Sequence, residues 1–144
     1  RIGPVCRSAQ ADAWFRGGVL QAQAPRLHTR TRPGAWDDWA RCTGQALPPT
    51  PAEAPAQVFD HFYFSLQAAV AGLGVAMGPR HLVQDDLASG LLVAPLGFVP
   101  DGSRYWLLTA TDAQHAPSGV LRDWLRAQGE GASAPPADAR TMRA

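Results

Sequence analysis

Apolar positions along the chain change period several times, and each change marks an element. Residues 2–6 form a short apolar piece, interrupted by Pro4, that fits an incoming edge strand or crossover. Residues 11–15 allow one helical turn before Gly17-Gly18. From 26 to 31 polar and less polar side chains alternate, the two-residue period of a strand, and Pro33-Gly34 breaks the run. Over residues 35–42, Trp36, Trp39 and Ala40 recur at helical spacing, with Asp37 and Asp38 early enough to suit the helix dipole. Gly44 ends this helix. Residues 46–56, with four prolines, read as a loop.

The second half continues the alternation. Residues 57–60 form a short strand leading into a helix whose buried stripe is Leu66, Ala69, Val70 and Leu73. Ser65 is the expected N-cap of that helix, and Gly72 with Gly74 stops it. Residues 75–77 read as a buried strand. Pro79 opens the next helix at its first position, with Leu82, Val83 and Leu87 inward and Gly90 closing it. Residues 91–96 and 104–111 are predicted strands on either side of the turn signal Pro100-Asp101-Gly102. Ser118 caps a last helix with an apolar face of Val120, Leu121, Trp124 and Leu125. From Gly129 the chain is small, polar and proline-containing, which predicts a disordered tail over 129–144. Alternating strands and helices with short connections imply an α/β architecture, a mixed and mostly parallel sheet flanked by helices. Such folds bind ligands at strand ends and helix N-termini.

Composition narrows the function. At 144 residues, with 46 % apolar and 17 % charged residues, the chain is one globular domain or one lobe of a larger one. A formal charge of +1 supplies no field that would hold a nucleic-acid backbone. Heavy use of alanine, arginine, glycine and proline, with no lysine or asparagine, is coding bias and carries no mechanism. Cys6 and Cys42 are too few for a secreted disulfide scaffold and read as reduced thiols of a cytoplasmic protein. No apolar run approaches the roughly 20 residues that cross a bilayer, so no membrane partner is expected. The chain opens at Arg1 and reads as the latter part of a longer product.

Catalytic signals are weak. Asp37-Asp38 and Asp85-Asp86 are sequence neighbours, which do not converge on a helix. His28, His61, His81 and His115 lack metal-ligand spacing, and no phosphate loop or nucleophile elbow is present. The chain reads as no enzyme, with no cofactor and no metal.

One resemblance sharpens the picture. FDHFYFSLQAAVAGLGVAMGPRHLVQDDLASGLLVAPLG resembles the effector-binding domain of LysR-type transcriptional regulators, through AAVAGLGVA, a following P-x-x-L and DLASGxLV. RIGPVCRSA is similar to the crossover into that domain's second lobe. RLHTRTRPGAWDDW resembles the strand and Trp-x-x-Trp helix of the branch that includes glycine-cleavage and β-lactamase regulators. The resemblance spans about residues 1–128. It implies a periplasmic-binding-protein type II-like lobe, part of an incomplete two-lobe domain around a cleft for a small effector. It also implies an N-terminal helix-turn-helix for DNA and homo-oligomerisation, both carried by segments outside this sequence. A fragment of an extracytoplasmic solute-binding protein of the same fold is the competing reading.

Read through this resemblance, the second lobe faces the cleft with Asp60, His61, Phe62, Tyr63 and Ser65. Backbone N–H groups at the helix start and the Ser65 hydroxyl would hold an anionic effector. Each residue also has a plainer reading: Ser65 as a cap, His61 as a structural residue, and one of Phe62 and Phe64 as core. Tyr63 faces either cleft or solvent. Tyr105, on a strand returning to the first lobe, is assigned to the cleft and its neighbour Trp106 to the core. Arg30 and Arg32 have two readings, attraction of an anionic effector toward the cleft and, favoured, a solvated strand edge. Bulky side chains at 62 and 63 depart from the small hydroxyl residues of related sequences, so no particular effector follows.

Overall fold

Strand β1, Ile2–Arg7, is the sheet's antiparallel member and lies in its interior, not at its edge. The computed structural model describes residues 1–50, 57–108 and 119–133, with side chains to residue 129. It divides into two compact units, Arg1–Ser103 and Arg104–Ala144.

In the first unit, β1 is followed by a 3-10 turn, Ser8–Gln10, and helix α1, Ala11–Trp14. Strands β2, Phe15–Arg16, and β3, Val19–Leu20, then form a hairpin. Its two-residue turn places Gly17 and Gly18 at φ 57° and 72°, a conformation that glycine adopts without steric cost. Then come β4, Arg26–Thr29; α2, Ala35–Thr43; β5, Gln57–Phe59; α3, Phe62–Val70; β6, Val75–Pro79; α4, Arg80–Ala88; and β7, Leu92–Val93. The main sheet has the order β5-β4-β6-β1-β7. β4 pairs in parallel with β5 and β6, whereas β1 pairs antiparallel with β6 and β7. The sheet is mixed as expected, but its parallel part is confined to β4 and its two neighbours.

Pro4 argued for an edge, and backbone alternation explains its interior place. Ile2 and Val99 exchange both backbone hydrogen bonds, at 2.9 and 3.0 Å, and Ser8 donates to Leu91 at 3.1 Å. Even-numbered residues of β1 therefore direct their backbone groups away from β6. Pro4 falls between the Val99 bridge and the short pairing of Cys6 with Val93, where the ladder does not use a donor. Gly3 faces the same junction from the other side of the sheet: a Cβ there would overlap the Gly97 carbonyl oxygen.

Both sheet faces are covered, so β1 and β6 are buried almost throughout. On one face Ile2, Cys6, Val75 and Met77 pack with Trp36 and Trp39 of α2 and with Phe15 and Leu20 of the hairpin. On the other, Val5, Leu27 and Ala76 pack with Leu66, Ala68 and Ala69 of α3 and Val83 of α4. Burying the two tryptophans withdraws roughly 200 Å² each from water, about 5 kcal/mol apiece before entropy is counted. The Trp36 indole also donates to the Leu27 carbonyl at 3.1 Å, fixing α2 against β4. Cys6 and Cys42 are both free; burial pushes the Cys6 thiol up to about 11.

Several expectations need correcting. Leu73 and Leu82, expected inside, are about half exposed, because α3 ends before Leu73 and Val83 takes the inward position on α4. Pro79 is the N-cap of α4 and the last residue of β6, not the first helical residue. The strand predicted over 91–96 is only β7, after which the Gly97 amide turns back to the Ala94 carbonyl. In the second unit, residues 104–108 are not strand, and the rest of that predicted strand lies outside the described residues. Strand-forming side chains take up the ladder only where a partner strand supplies hydrogen bonds, and these residues pair with none of the described strands. Helix α5, Gly119–Ser133, carries the expected apolar face but extends past Gln128 into the predicted tail, because single glycines such as Gly129 are tolerated at about 1 kcal/mol each. Residues 134–144 of that tail, His115 and the Ser118 cap lie outside the described residues. No described helix is long and apolar enough to cross a membrane.

Arg32 ties the far loop to this scaffold, with an Nη1–Oδ2 distance of 2.5 Å to Asp101, while Ser103 donates to the same carboxylate at 2.6 Å. Burial pushes the Asp101 carboxyl up, but these hydrogen bonds and the Arg32 charge outweigh it and hold it well below the usual carboxylate range. A depressed pKa stabilises the fold fully above the ordinary carboxylate value and is lost as pH falls through the folded value. Asp101→Asn should therefore lower stability near pH ~7, and its difference from the unsubstituted chain should shrink as pH falls below about 4, the ordinary carboxylate value, read from denaturation curves across that range. At the sheet junction, Gly3→Ala should cost about 1–3 kcal/mol, seen as a lower urea midpoint at unchanged slope.

Candidate functional site

Three features meet at one end of the sheet. β4 and β5 run in parallel and in register, Thr29 opposite Phe59, so both finish at the same edge. The Arg30 amide extends the ladder by donating to the Phe59 carbonyl at 2.8 Å. The two residues beyond the ladder, Arg30 and Asp60, thereby emerge side by side, with Nη1 and Oδ1 3.5 Å apart and both side chains largely exposed.

Immediately after, α3 begins. Its N-cap is His61, not Ser65: the Phe64 and Ser65 amides return to the His61 carbonyl at 3.2 and 3.4 Å. The connection from β5 is only Asp60-His61, short enough that Phe62 enters the first turn and packs half-buried against the Trp36–Trp39 cluster. Ser65 is thus carried into the helix interior, 1 % exposed, where its hydroxyl donates to the Phe62 carbonyl at 2.9 Å. The amides of Phe62 and Tyr63 lie in the first turn, where no intrahelical acceptor exists. Tyr63 and Phe64 stand 65 % and 50 % exposed. Their rings meet edge to face at 5.5 Å, and His61 stacks on Phe64 at 6.4 Å.

Arg30, Val58, Phe59, Asp60, Phe64 and Ala68 line an open hollow of about 570 Å³. It has one cation, one anion and an apolar wall. Beside it, the Thr29 hydroxyl at the end of β4 is buried without a hydrogen-bond partner.

Of the residues expected from the sequence, Asp60 borders this hollow, and His61, Phe62 and Tyr63 form the adjoining helix start. Ser65 is in the same helix but turned to its own backbone. Tyr105 belongs to the second unit, where it lines a hollow with Trp106, Leu107, Arg122, Leu125 and Arg126. Trp106, expected in the core, is 76 % exposed. Arg30, favoured in the sequence as a solvated strand edge over an attractor of an anionic effector, reaches the corner through the β4–β5 register, and Phe64 carries no distinguishing signal in the sequence.

Residues 18–130 match the LysR substrate binding domain. The chain belongs to this family. It is 43 % identical over 136 residues to the HTH-type transcriptional regulator TrpI of Pseudomonas aeruginosa, covering 89 % of this chain and 43 % of that protein. It is 31 % identical over 126 residues to the HTH-type transcriptional activator AmpR of Enterobacter cloacae, with coverages of 87 % and 41 %. The chain thus spans less than half the length of these curated relatives. Among solved structures, the effector domain of AmpR of Pseudomonas aeruginosa is similar at a TM-score of 0.52 and 28 % identity, covering 65 % of this chain and 43 % of that one. The AmpR effector binding domain from Citrobacter freundii shares the fold at a TM-score of 0.57 and 22 % identity, covering 91 % and 62 %. The LysR substrate-binding domain is therefore the architecture of this chain, and its relatives are transcriptional regulators.

The unpartnered Thr29 hydroxyl gives a test of the local energetics. Thr29→Val keeps the shape and removes a buried polar atom, so it should raise stability by about 1 kcal/mol, measured by thermal or urea unfolding.

Proposed function

We propose that this chain is the effector-sensing part of a LysR-type regulator, with residues 1–128 forming the second lobe and the return to the first. A small molecule binds where β4 and β5 end and α3 begins. The observation that carries this is the openness of that corner: Arg30, Asp60, Tyr63 and Phe64 are exposed together beside amides that lack intrahelical acceptors. A stable core would not leave a charged pair, two aromatic rings and a helix N-terminus at one place without use for them. Asp60, His61, Phe62 and Tyr63 contribute, joined by Arg30 and Phe64, while Ser65 acts through its place in the helix.

Effector binding shifts the balance of lobe and subunit arrangements in a cytoplasmic homo-oligomer, and so changes how helix-turn-helix segments outside this chain meet DNA. The named relatives favour a regulator over the solute-binding reading, and they are not enzymes by name.

The test is a thermal-shift screen of small organic acids, amino acids and amines against the chain. A ligand at a hundred times its Kd adds about 2.7 kcal/mol, an upward shift of several degrees. Hits should disappear in the Arg30→Ala/Tyr63→Ala double variant. Hits that survive it unchanged, or a screen with none, would speak against this corner as the sensor.

A further inference from the structure

We propose that the hollow beside Arg30 and Asp60 selects a molecule bearing both an anionic and a cationic group on an apolar body, which exchanges the protein's ion pair for two of its own. This rests on the effector reading above and names the ligand class it takes. Three observations carry it.

First, the ion pair is weakly held. Arg30 and Asp60 are 3.5 Å apart, at 76 % and 69 % side-chain exposure. Such a pair contributes about 0–1 kcal/mol, so separating it costs little once each charge has a new partner. Second, a ligand of one charge makes a poor exchange. An anion drawn to Arg30 sits beside the Asp60 carboxylate, and a cation drawn to Asp60 sits beside the Arg30 guanidinium. Only a ligand with both charges leaves neither group unpaired and meets no like charge. Third, the remaining wall is Val58, Phe59, Phe64 and Ala68, with no further charged side chain. That surface suits a hydrocarbon or ring, and Phe64, half exposed and already braced by Tyr63 and His61, offers its ring for stacking.

Three compounds with the same benzyl body isolate the charges: L-phenylalanine with both, 3-phenylpropanoate with the anion alone and 2-phenylethylamine with the cation alone. Titration calorimetry on the full chain should find L-phenylalanine bound roughly tenfold more tightly than either, the difference one charge-assisted hydrogen bond makes. Asp60→Asn should abolish its advantage over 3-phenylpropanoate, and Arg30→Gln its advantage over 2-phenylethylamine. Phe64→Ala should weaken all three by similar factors, since the ring does not read charge. If 3-phenylpropanoate binds at least as tightly as L-phenylalanine but Arg30→Gln removes it, the two-charge rule is overturned while the corner stands as an effector site. Equal affinities insensitive to Arg30→Gln and Asp60→Asn, or no binding of any of the three in the millimolar range, overturn the assignment of this hollow itself.

Discussion

The placement of the candidate site depends on one constraint, the in-register parallel pairing of β4 with β5. Leu27, His28 and Thr29 stand opposite Gln57, Val58 and Phe59, and the Arg30 amide closes the ladder on the Phe59 carbonyl. β4 is held by β6, so a slip of β5 by one residue would turn Phe59, which packs against the Leu27 cluster, away from the face that α3 covers. Burial therefore fixes the register, and the register fixes which residues emerge beyond the last hydrogen bond. Arg30 and Asp60 are neighbours because Leu27 and Phe59 pack on the same face of the sheet. Their proximity is not a loop accident that a different side-chain conformation would undo.

The same logic explains what could be read from the chain beforehand. Helical elements were legible because their signal is local: Trp36 and Trp39 at one helical step, the stripe through Leu66 and Ala69, and Val83 on α4 all bury as their spacing implies. Strand partners are set by residues far away in sequence, and there the reading weakened. Residues 2–6 read as an edge strand or crossover, yet nothing local shows that β1 enters between β6 and β7 in the opposite direction. Pro4 even argued against it, since its missing donor matters only on the side where a ladder runs. The Gly17-Gly18 pair reads in the sequence as a break, whereas its two positive φ values make it a hairpin turn.

Site residues divide along the same line. Asp60 to Tyr63 stand out in the sequence because they precede a recognisable helix, whose start the family resemblance places at a cleft. Arg30 favours the solvated-edge reading because a single exposed arginine at a strand end resembles any surface charge. Its significance comes from Asp60, thirty positions along the chain, and only pairing brings the two together. Ser65 fails for the converse reason: a serine three residues into an aromatic run is an ordinary cap by local preference, but Phe62 can reach the Trp36–Trp39 cluster only if the helix has already begun. Tertiary burial of one ring moved the helix start by a turn and left the serine to bond within it.

The aromatic run that precedes the alanine-rich helix can now be understood as a division of labour imposed by helical geometry. Successive residues turn about 100° around the axis, so Phe62 and Phe64 lie on nearly opposite sides. The first anchors the helix start to the core, and its neighbours Tyr63 and Phe64 are held outward as a consequence. His61, in extended backbone one position earlier, folds over Phe64 and completes an exposed ring cluster. An anchoring residue at the first turn makes the rest of that turn a rigid presentation of rings and free amides. Rigidity matters because a surface that is already ordered loses less entropy when something binds to it. The anchor and the exposed cluster are two results of one packing event, so Phe62, although half-buried and turned to the core, sets how its neighbours are presented.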